Sequence, residues 1–323
     1  MFNIFIKKLA GLIPLFFGVI LVSFFVIRLA PGGPADARFD LNPHAAAEAR
    51  AAFEKIYGLD RPLLEQYFSW TSRVARLDFG VSFVDGERVA DKIFRALPVT
   101  LLVNGLSFLV VAAAGIWMGV AGAVKKGRPL DSILTTLSLA GFSLPMTWVA
   151  LLGMSFFGVT LHWLPVSGLT SVFFDRMNFW QKTADLARHL VLPIAVSSVA
   201  GVAGISRLTR NSMIEVLKQD YVRTARAKGL SEVNVLYGHA LKNALLPVLA
   251  ALGLAVPGLL GGSVIFESIF SIPGMGRLFF ESAFARDYPV IMGVLVVGAL
   301  ATLLGNLLAD LACALADPRV RFR

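Results

Sequence analysis

The sequence predicts an all-α integral membrane protein with six transmembrane helices, and two observations support this fold class. The composition is 56% hydrophobic and only 16% charged, with a mean hydropathy of +0.72, values that exclude an ordinary soluble domain. Six apolar segments without Asp, Glu, Lys or Arg recur along the chain, each of about the length that crosses a bilayer. They cover approximately residues 9–27, 98–124, 132–161, 189–205, 243–265 and 288–309.

The first apolar run has two interpretations. Leu9 to Ile27 just span a hydrocarbon core of ~30 Å as a helix. A secretory signal peptide is the alternative, because Ala35-Asp36-Ala37 resembles a cleavage site. The run exceeds the about 7–15 apolar residues of a signal peptide, and Arg28 separates it from that site. We therefore expect residues 1–30 to form an uncleaved first transmembrane helix.

Residues 31–97, the external segment, are polar and carry two predicted helices. Asn42 and Pro43 are typical of a helix start, and Gly58 of the end of that helix. The second helix begins near Asp60 and has one apolar side. That side comprises Leu64, Tyr67, Phe68, Thr71 and Val74.

The end of the external segment leads into the second span. Asp85-Gly86 predicts a turn, and the pattern from Val89 to Leu97 favours a helix lying in the membrane interface. Counted with Arg28, the segment holds ten basic and ten acidic residues. We interpret it as an electrically neutral external cap that is too short for a separate enzymatic domain.

The distribution of charge predicts that both termini are cytoplasmic. In that orientation the inner loops and tails hold 15 basic and 6 acidic residues, whereas the outer pieces hold 15 of each. Basic residues in short loops collect on the cytoplasmic side. The net charge of +9 is therefore explained by the inner face of a membrane rather than by nucleic acid.

Residues 98–312 are predicted to form a five-helix core, followed by a cytoplasmic tail, residues 313–323. Within the core, residues 206–247 form a hydrophilic stretch, the basic loop, with seven basic and three acidic residues. Its helical spacing of apolar residues involves Ile214, Leu217, Tyr221 and Ala225. Gly229 is expected to end that helix with positive φ, and Ser231 to cap a second short helix. A docking element and an ordinary solvated loop both fit this pattern.

The spans offer only neutral polar groups, which argues against a carrier driven by ions or protons. For most of these groups, such as Ser107 and Ser197, hydrogen bonding between helices is the simpler interpretation. Asn104, Ser143 and Pro145 are candidates for lining a pathway, because Pro145 is expected to kink the third helix.

No catalytic, cofactor or metal site is predicted in this chain. The single cysteine and four scattered histidines show no metal-ligand spacing. The stretch from Gly122 to Gly127 has the glycine spacing of a phosphate loop, but Arg128-Pro129 replaces the Lys-Ser/Thr pair and no strand precedes it. A pore without a driving group of its own implies that energy comes from another subunit.

The sequence resembles permease subunits of binding-protein-dependent ABC importers, in particular the dipeptide, oligopeptide and nickel class. The resemblance in the basic loop runs from Asp220 to Leu230 and from His239 to Pro247. Outside that loop it is carried by Gly11–Pro14, Arg28–Gly32, Tyr57–Pro62, Leu97–Thr100, Ser143–Pro145, Trp163–Gly168, Pro273–Arg277, Arg286–Pro289 and Asp317–Arg319.

The resemblance implies a type I importer permease fold in a bacterial or archaeal inner membrane. The implied partners are a second, homologous permease, two ATPase subunits that bind ATP and Mg, an external solute-binding protein and membrane lipid, and none is a nucleic acid. The implied ATPase-coupling residues are Tyr221, Arg223, Thr224, Ala225, Arg226, Ala227, Gly229 and Leu230.

Two positions depart from the general importer pattern. Arg223-Thr224-Ala225 stands where that pattern has Glu-Ala-Ala, and Lys242 stands where it has proline. A salt bridge from a glutamate to the ATPase is therefore not expected here. Peptides, nickel chelates, glutathione and peptide antibiotics remain open as cargo. A secondary carrier or channel is the alternative function, and a membrane-embedded hydrolase is a more remote one.

The predicted orientation can be tested by cysteine accessibility. With Cys313 replaced, single cysteines at Ala46 and Lys126 should differ, and only the first should react with an impermeant thiol reagent in intact cells. Labelling at position 126 instead of 46 would reverse the orientation.

Overall fold

The computed structural model describes residues 2–29, 32–34, 43–259 and 261–316. These residues are predominantly helical, and within them the one isolated β-bridge pairs Val81 with Arg88. The α-helices are α1 (Phe2–Leu29), α2 (Pro43–Ile56), α3 (Leu63–Val74), α4 (Val89–Val124), α5 (Pro129–Ser143), α6 (Met146–Gly153), α7 (Phe179–Val216), α8 (Asp220–Ala227), α9 (Leu241–Ala255), α10 (Val264–Ile269), α11 (Met275–Phe284) and α12 (Tyr288–Ala316). Met154–Thr160 and Asn234–Ala240 are π-helices, and Phe174–Arg176 and Val256–Leu259 are 3-10 turns.

Five stretches are long and apolar enough to cross a membrane, and a bent helix pair makes a sixth, as the fold class predicts. The five are Gly11–Leu29, Val89–Val124, Phe179–Val216, Asn234–Leu259 and Tyr288–Leu307. The sixth consists of Pro129–Ser143 and Met146–Thr160, which meet at 102°. The predicted kink at Pro145 is thus a complete break. Leu144 is extended, with φ −80° and ψ 134°, because a residue before proline is disfavoured in the helical region.

Two predicted boundaries were wrong. The short fourth segment, 189–205, is the apolar middle of the 38-residue helix α7. The predicted interface helix, Val89 to Leu97, is not separate but forms the first turns of α4. The reason is packing: Val89, Ile93 and Ala96 are buried in a cluster with residues of α11 and α12, which holds these turns in line with the span.

The chain divides into two compact units. One comprises Met1–Thr100, Leu260–Ser268 and Pro273–Leu307, and the other Leu101–Leu259, Ile269–Ile272 and Leu308–Arg323. In the first unit, the external segment packs on α1, and the ring of Trp70 stacks on Phe24 with 5.8 Å between centroids. In the second unit, α7 packs against α5, α6 and α9.

The external segment has the two predicted helices, with a correction to the second. α2 begins at Pro43 as predicted, and Gly58 follows its end with φ +64°; Asn42 lies outside the described residues. The Asp85-Gly86 turn is also present, with Gly86 N donating to Ser82 O at 3.0 Å.

The predicted apolar side of α3 is wrong in two places. Leu64 and Phe68 are 62% and 67% exposed, whereas the buried residues are Gln66, Trp70 and Val74. Gln66 turns inward because its Nε2 donates to the carbonyls of Leu59 and Arg61, at 3.0 and 2.7 Å. Buried carbonyl groups need such donors, and this need outweighs the hydrophobicity of Leu64.

A buried carboxylate organises the turn before α11. Glu267 is 2% exposed and accepts hydrogen bonds from Thr100 Oγ1 at 2.8 Å and from the N–H groups of Gly276 and Arg277 at 2.7 and 3.1 Å. Gly276 and Arg277 lie in the first turn of α11, where the backbone N–H groups have no partner within the helix. A Cβ on Gly274 would lie 2.4 Å from Glu267 Oε2, so the motif Pro273–Arg277 requires glycine at that position.

A second buried carboxylate anchors the start of α12. Asp287 is 2% exposed, and its Oδ1 accepts from Phe83 N at 2.9 Å while its Oδ2 accepts from the Ser82 hydroxyl. Next to it, Tyr288 Oη donates to Gly32 O at 3.1 Å. The motifs Arg28–Gly32 and Arg286–Pro289, which are 254 residues apart at their nearest ends, therefore meet in one network.

Replacing Glu267 by Gln should lower the free energy of unfolding by about 1–3 kcal/mol, because a single amide oxygen cannot accept from both the N–H groups of Gly276 and Arg277 and the Thr100 hydroxyl. The measurement is unfolding of the purified chain in mixed micelles by titration with a denaturing detergent. Glu281→Gln makes the same change at a side chain that is 58% exposed and should stay within about 0.5 kcal/mol of wild type. Equal losses in the two variants would contradict the anchoring role of Glu267.

Candidate functional site

The basic loop is built as two helices that meet at a break, not as the single amphipathic helix predicted through residue 225. α7 ends at Val216, and Gln219 is extended with φ −72° and ψ 149° before α8 begins at Asp220. Ile214 and Leu217 therefore belong to α7 and its cap. On α8 the buried residues are Val222 and Ala225, while Tyr221 is 41% exposed. The break shifts the helical register, so Tyr221 leaves the predicted apolar side, whereas Ala225 is buried as predicted.

The end of α8 is the one predicted, and its hydrogen bonds explain the need for glycine. Gly229 has φ +80°. Gly229 N donates to Arg226 O at 2.9 Å and Leu230 N to Ala225 O at 3.4 Å, the two bonds of a Schellman cap. Ser231 then caps the next helix as predicted, its Oγ accepting from Asn234 N at 3.4 Å.

α8 rests on a packed base formed by the end of the span in α4. Val222 and Ala225 join a buried cluster that fixes the helix from below. The other members are Val120, Ala123, Met213, Val235, Ala240 and Ala244. On the side, Asn243 Nδ2 donates to Tyr221 Oη at 2.8 Å. Because these contacts come from α4, α7, α9 and the π-helix, α8 and the ends of those helices form one rigid piece.

Charged groups of the loop fall into a paired set and an exposed set. Arg226 Nε lies 2.7 Å from Glu232 Oε1, across the turn at Gly229. Arg223 makes only a loose contact with Asp220, at 3.6 Å, and their side chains are 73% and 95% exposed. Exposed pairs of this kind contribute at most about 1 kcal/mol. Arg223 is therefore presented to solvent on a helix whose opposite side is buried.

An ion pair that the sequence analysis missed closes the base of the loop. Arg210 Nε and Nη2 donate to Asp131 Oδ1 and Oδ2 at 2.6 and 2.9 Å. The side chain of Asp131 is 8% exposed and that of Arg210 is 26% exposed. Gly127 N also donates to Asp131, at 3.0 Å. Breaking one partner of a buried pair costs about 3–5 kcal/mol, so this contact ties the turn between α4 and α5 to α7.

The same contact bears on the phosphate-loop pattern at Gly122 to Gly127. Gly122 lies within α4, and the N–H of Gly127 is directed at a carboxylate of the chain itself. No β-strand precedes the pattern in the described stretch before α4. The N–H of Gly127 is thus used within the chain, in the turn between α4 and α5.

Seven of the eight residues predicted for ATPase coupling lie on the exposed side of the loop. They are Tyr221, Arg223, Thr224, Arg226, Ala227, Gly229 and Leu230. Ala225 is the exception, since it is 6% exposed and packs in the base. Its small side chain sets the distance between α8 and that base. The spacing of residues in the sequence did not distinguish this packing role from contact with an ATPase.

The three pathway candidates are found in different surroundings. Asn104 Nδ2 donates to Leu259 O at 2.9 Å, at the end of a 3-10 turn. Ser143 Oγ donates to Leu139 O at 2.9 Å, and Ser143 lines a cavity of about 460 Å³ together with Arg207 and Asn211. Pro145 begins α6 after the break. Their contact with cargo stays a prediction.

The expectation of hydrogen bonds between helices is correct for one serine pair. Ser107 Oγ on α4 and Ser197 Oγ on α7 lie 2.7 Å apart. The two hydroxyl groups therefore pair with each other, and this contact between helices accounts for both serines.

The fold is that of an all-α membrane permease of the ABC importer type. The chain is similar to a chain in a solved structure of inward-facing conformations of the methionine ABC transporter MetNI, with a TM-score of 0.51. The superposition covers 70% of this chain and 96% of that one, at 16% sequence identity, so the likeness concerns the fold.

The family follows from the sequence of the same region. Residues 112–322 match the family described as the inner membrane component of binding-protein-dependent transport systems, and this chain belongs to that family. Members are non-catalytic membrane permeases, and membership implies in general terms a partner permease, an ATPase and a binding protein.

Several full-length relatives are similar to this chain. The oligopeptide transport system permease protein AppB of Bacillus subtilis is 39% identical over 318 residues, covering 98% of both chains. The di/tripeptide transport system permease protein DppB of Pseudomonas aeruginosa is 39% identical over 333 residues, covering 98% of this chain and 97% of the other. The oligopeptide transport system permease protein OppB of Haemophilus influenzae is 36% identical over 317 residues, covering 98% of both.

The geometry at Gly229 allows a sharp test of α8. No atom lies within 4 Å of a Cβ built on Gly229, so a side chain there is opposed only by the positive φ. Gly229→Val should cost about 1–2 kcal/mol or more and misalign α8, whereas Gly229→Asn should be tolerated, because asparagine adopts this conformation far more readily. The measurement is transport and ATPase copurification at matched membrane abundance.

Arg223→Gln serves as a second comparison, since it removes an exposed charge without changing the backbone. We expect a smaller effect than that of Gly229→Val. Wild-type transport and copurification in Gly229→Val would show that the shape of this turn is not needed for coupling.

Proposed function

We propose that this chain is one permease subunit of an ATP-driven importer of peptides or related small solutes. The proposal is supported by family membership and by the permeases named above, which are described as oligopeptide or di/tripeptide transport proteins. The observation that carries it is the exposed side of α8, held on a packed base by Val222 and Ala225. A solvated loop would not need such a base.

The partners in this proposal are a second, homologous permease, two ATPase subunits and an external solute-binding protein. The ATPases bind ATP and Mg, and this chain supplies the surface on which one of them acts. That surface is the exposed row on α8, with Arg223 and Thr224 in its middle. Both termini are then cytoplasmic, in the inner membrane of a bacterium or archaeon.

The rigid base suggests how movement of an ATPase reaches the membrane. α8 is joined through the Val222 cluster to the last turns of α4 and α7, and through the Arg210–Asp131 pair to α5. A push on α8 therefore displaces the ends of several spans together instead of deforming a loop. Alternating access requires such a coupled displacement of helices, and packed interiors transmit it because they resist compression.

The test is reconstitution of the complete transporter in liposomes. Uptake of a labelled tripeptide should require the binding protein and ATP, and the purified permease alone should show no ATP hydrolysis. Liposomes that lack the ATPases but carry a proton gradient serve as the control for a secondary carrier. Tripeptide uptake by that control, or ATP hydrolysis by the permease free of ATPases, would overturn the proposal.

A further inference from the structure

A cavity of about 530 Å³ lies in the unit that contains α1 and the external segment, away from the basic loop in sequence. Residues from the end of α1, from α2 and α3, from the turn before α4 and from the start of α12 line it. We propose that this cavity binds the phosphate of an anionic phospholipid headgroup. The proposal rests on the membrane spans and is independent of the transport function proposed above.

The charge of the lining favours an anion. Five cationic side chains and two carboxylates line the cavity. The cations are Arg28, Lys55, Arg61, Arg73 and Arg88, and the carboxylates are Glu65 and Asp78. Among the described residues, no ion pair within 4.0 Å involves any of these seven groups. The excess positive charge is therefore not neutralised by the part of the chain that the structure describes.

Three buried polar atoms on lining residues also have no hydrogen-bond partner among the described residues. They are Arg28 Nε, Gln66 Oε1 and Trp70 Nε1. Gln66 and Trp70 are 8% and 4% exposed. The orientation of the Gln66 amide is fixed, because its Nε2 donates to two carbonyl groups. Buried polar groups nearly always have a partner, so these three groups on residues that line the cavity lack one that a bound ligand could supply.

Two of the three side chains, those of Arg28 and Trp70, are held close to each other by aromatic packing. The Arg28 guanidinium lies 5.6 Å from the centroid of the Phe24 ring and 5.2 Å from that of Tyr288. The Trp70 ring stacks on the same Phe24 ring, with 5.8 Å between the centroids. Two N–H donors, Arg28 Nε and Trp70 Nε1, are thus grouped around Phe24, and the Gln66 carbonyl is the acceptor on a third lining residue. A phosphate accepts from the donors, and a headgroup hydroxyl donates to the acceptor.

The position of the cavity along the spans selects a lipid over a dissolved anion. Arg28 is the penultimate residue of the span Gly11–Leu29, and Pro289 is the second residue of the span Tyr288–Leu307. Both lie where a span leaves the hydrocarbon core, at the depth of lipid headgroups. Basic pockets between transmembrane helices at this depth are suited to anionic headgroups.

Exposed apolar residues at the end of α2 and on α3 support contact with the membrane interface. Ile56, Leu64 and Phe68 are 76%, 62% and 67% exposed, and Ile56 is itself at the cavity. Large exposed apolar groups beside a basic site are typical of elements that lie in the interface. Phosphatidylglycerol fits best, because it combines a net negative phosphate with hydroxyl donors, whereas phosphatidylcholine is neutral overall and has no such donor.

The experiment is native mass spectrometry of the purified full-length chain in detergent, titrated with phosphatidylglycerol or phosphatidylcholine. Wild type should bind the first lipid at least about tenfold more tightly than the second. Trp70→Phe keeps a ring against Phe24 but removes the N–H, and the double variant Arg73→Gln/Arg88→Gln removes two rim cations. Each should weaken phosphatidylglycerol binding about tenfold, as expected for one lost charge-assisted hydrogen bond.

Matched controls make the same chemical changes away from the cavity. Arg76→Gln removes an exposed arginine of the external segment that does not line the cavity, and Trp180→Phe changes a tryptophan that is 77% exposed. Both should bind phosphatidylglycerol as wild type does. Arg28 is left unchanged, because truncating it would also remove its packing on two rings.

Three outcomes would overturn the proposal. The first is equal affinity of wild type for the two lipids. The second is unchanged phosphatidylglycerol affinity in both cavity variants, with helical content and elution volume as in wild type, which would assign the bound lipid to the general membrane surface. The third is displacement of the lipid by millimolar inorganic phosphate, which would make the ligand a dissolved oxyanion.

Discussion

The structure depends on the rule that backbone N–H and C=O groups inside a bilayer must be satisfied by the protein itself. A long helix such as α12 obeys it through its own backbone hydrogen bonds. Where helices break, side chains take over: Asn104 donates to the carbonyl of Leu259, and Glu267 accepts from the first N–H groups of α11. At these breaks, specific side chains therefore replace the missing backbone hydrogen bonds. The breaks are also where the chain departs from a simple six-helix bundle and gains the turns that its motifs encode.

The same reasoning separates strong from weak contributions in the basic loop. The Arg210–Asp131 pair is largely buried and bidentate, so removing either partner leaves a charge that water cannot solvate. The Arg223–Asp220 contact is exposed, and solvent compensates for its loss. Between these limits lies Gly229, whose importance is conformational, since its surroundings leave room for a side chain. The backbone conformation and the buried contacts of the basic loop therefore contribute more to its structure than any one of its exposed charges.

What the sequence could predict follows from the range of the forces involved. Hydropathy located the spans, and local turn chemistry located the ends of helices at Gly58 and Gly229, because both act over a few residues. The break at Gln219 and the inward turn of Gln66 were missed, since each depends on which backbone groups lack partners after folding. The pairing of Asp131 with Arg210, 79 residues apart, has no local signal at all.

Charge illustrates the difference between composition and structure most clearly. The external segment, counted with Arg28, holds ten basic and ten acidic residues, which suggested an electrically neutral cap. In the folded chain, carboxylates are taken up locally: Glu54 lies 3.3 Å from Arg50, Glu87 2.6 Å from Arg95, and a hydrogen bond from Lys92 lowers the pKa of Asp85 to about 2. Four arginines that find no such neighbour, Arg28, Arg61, Arg73 and Arg88, line one cavity. A segment that is neutral by count therefore carries a local excess of positive charge at this cavity, because several of its carboxylates are paired with cations elsewhere.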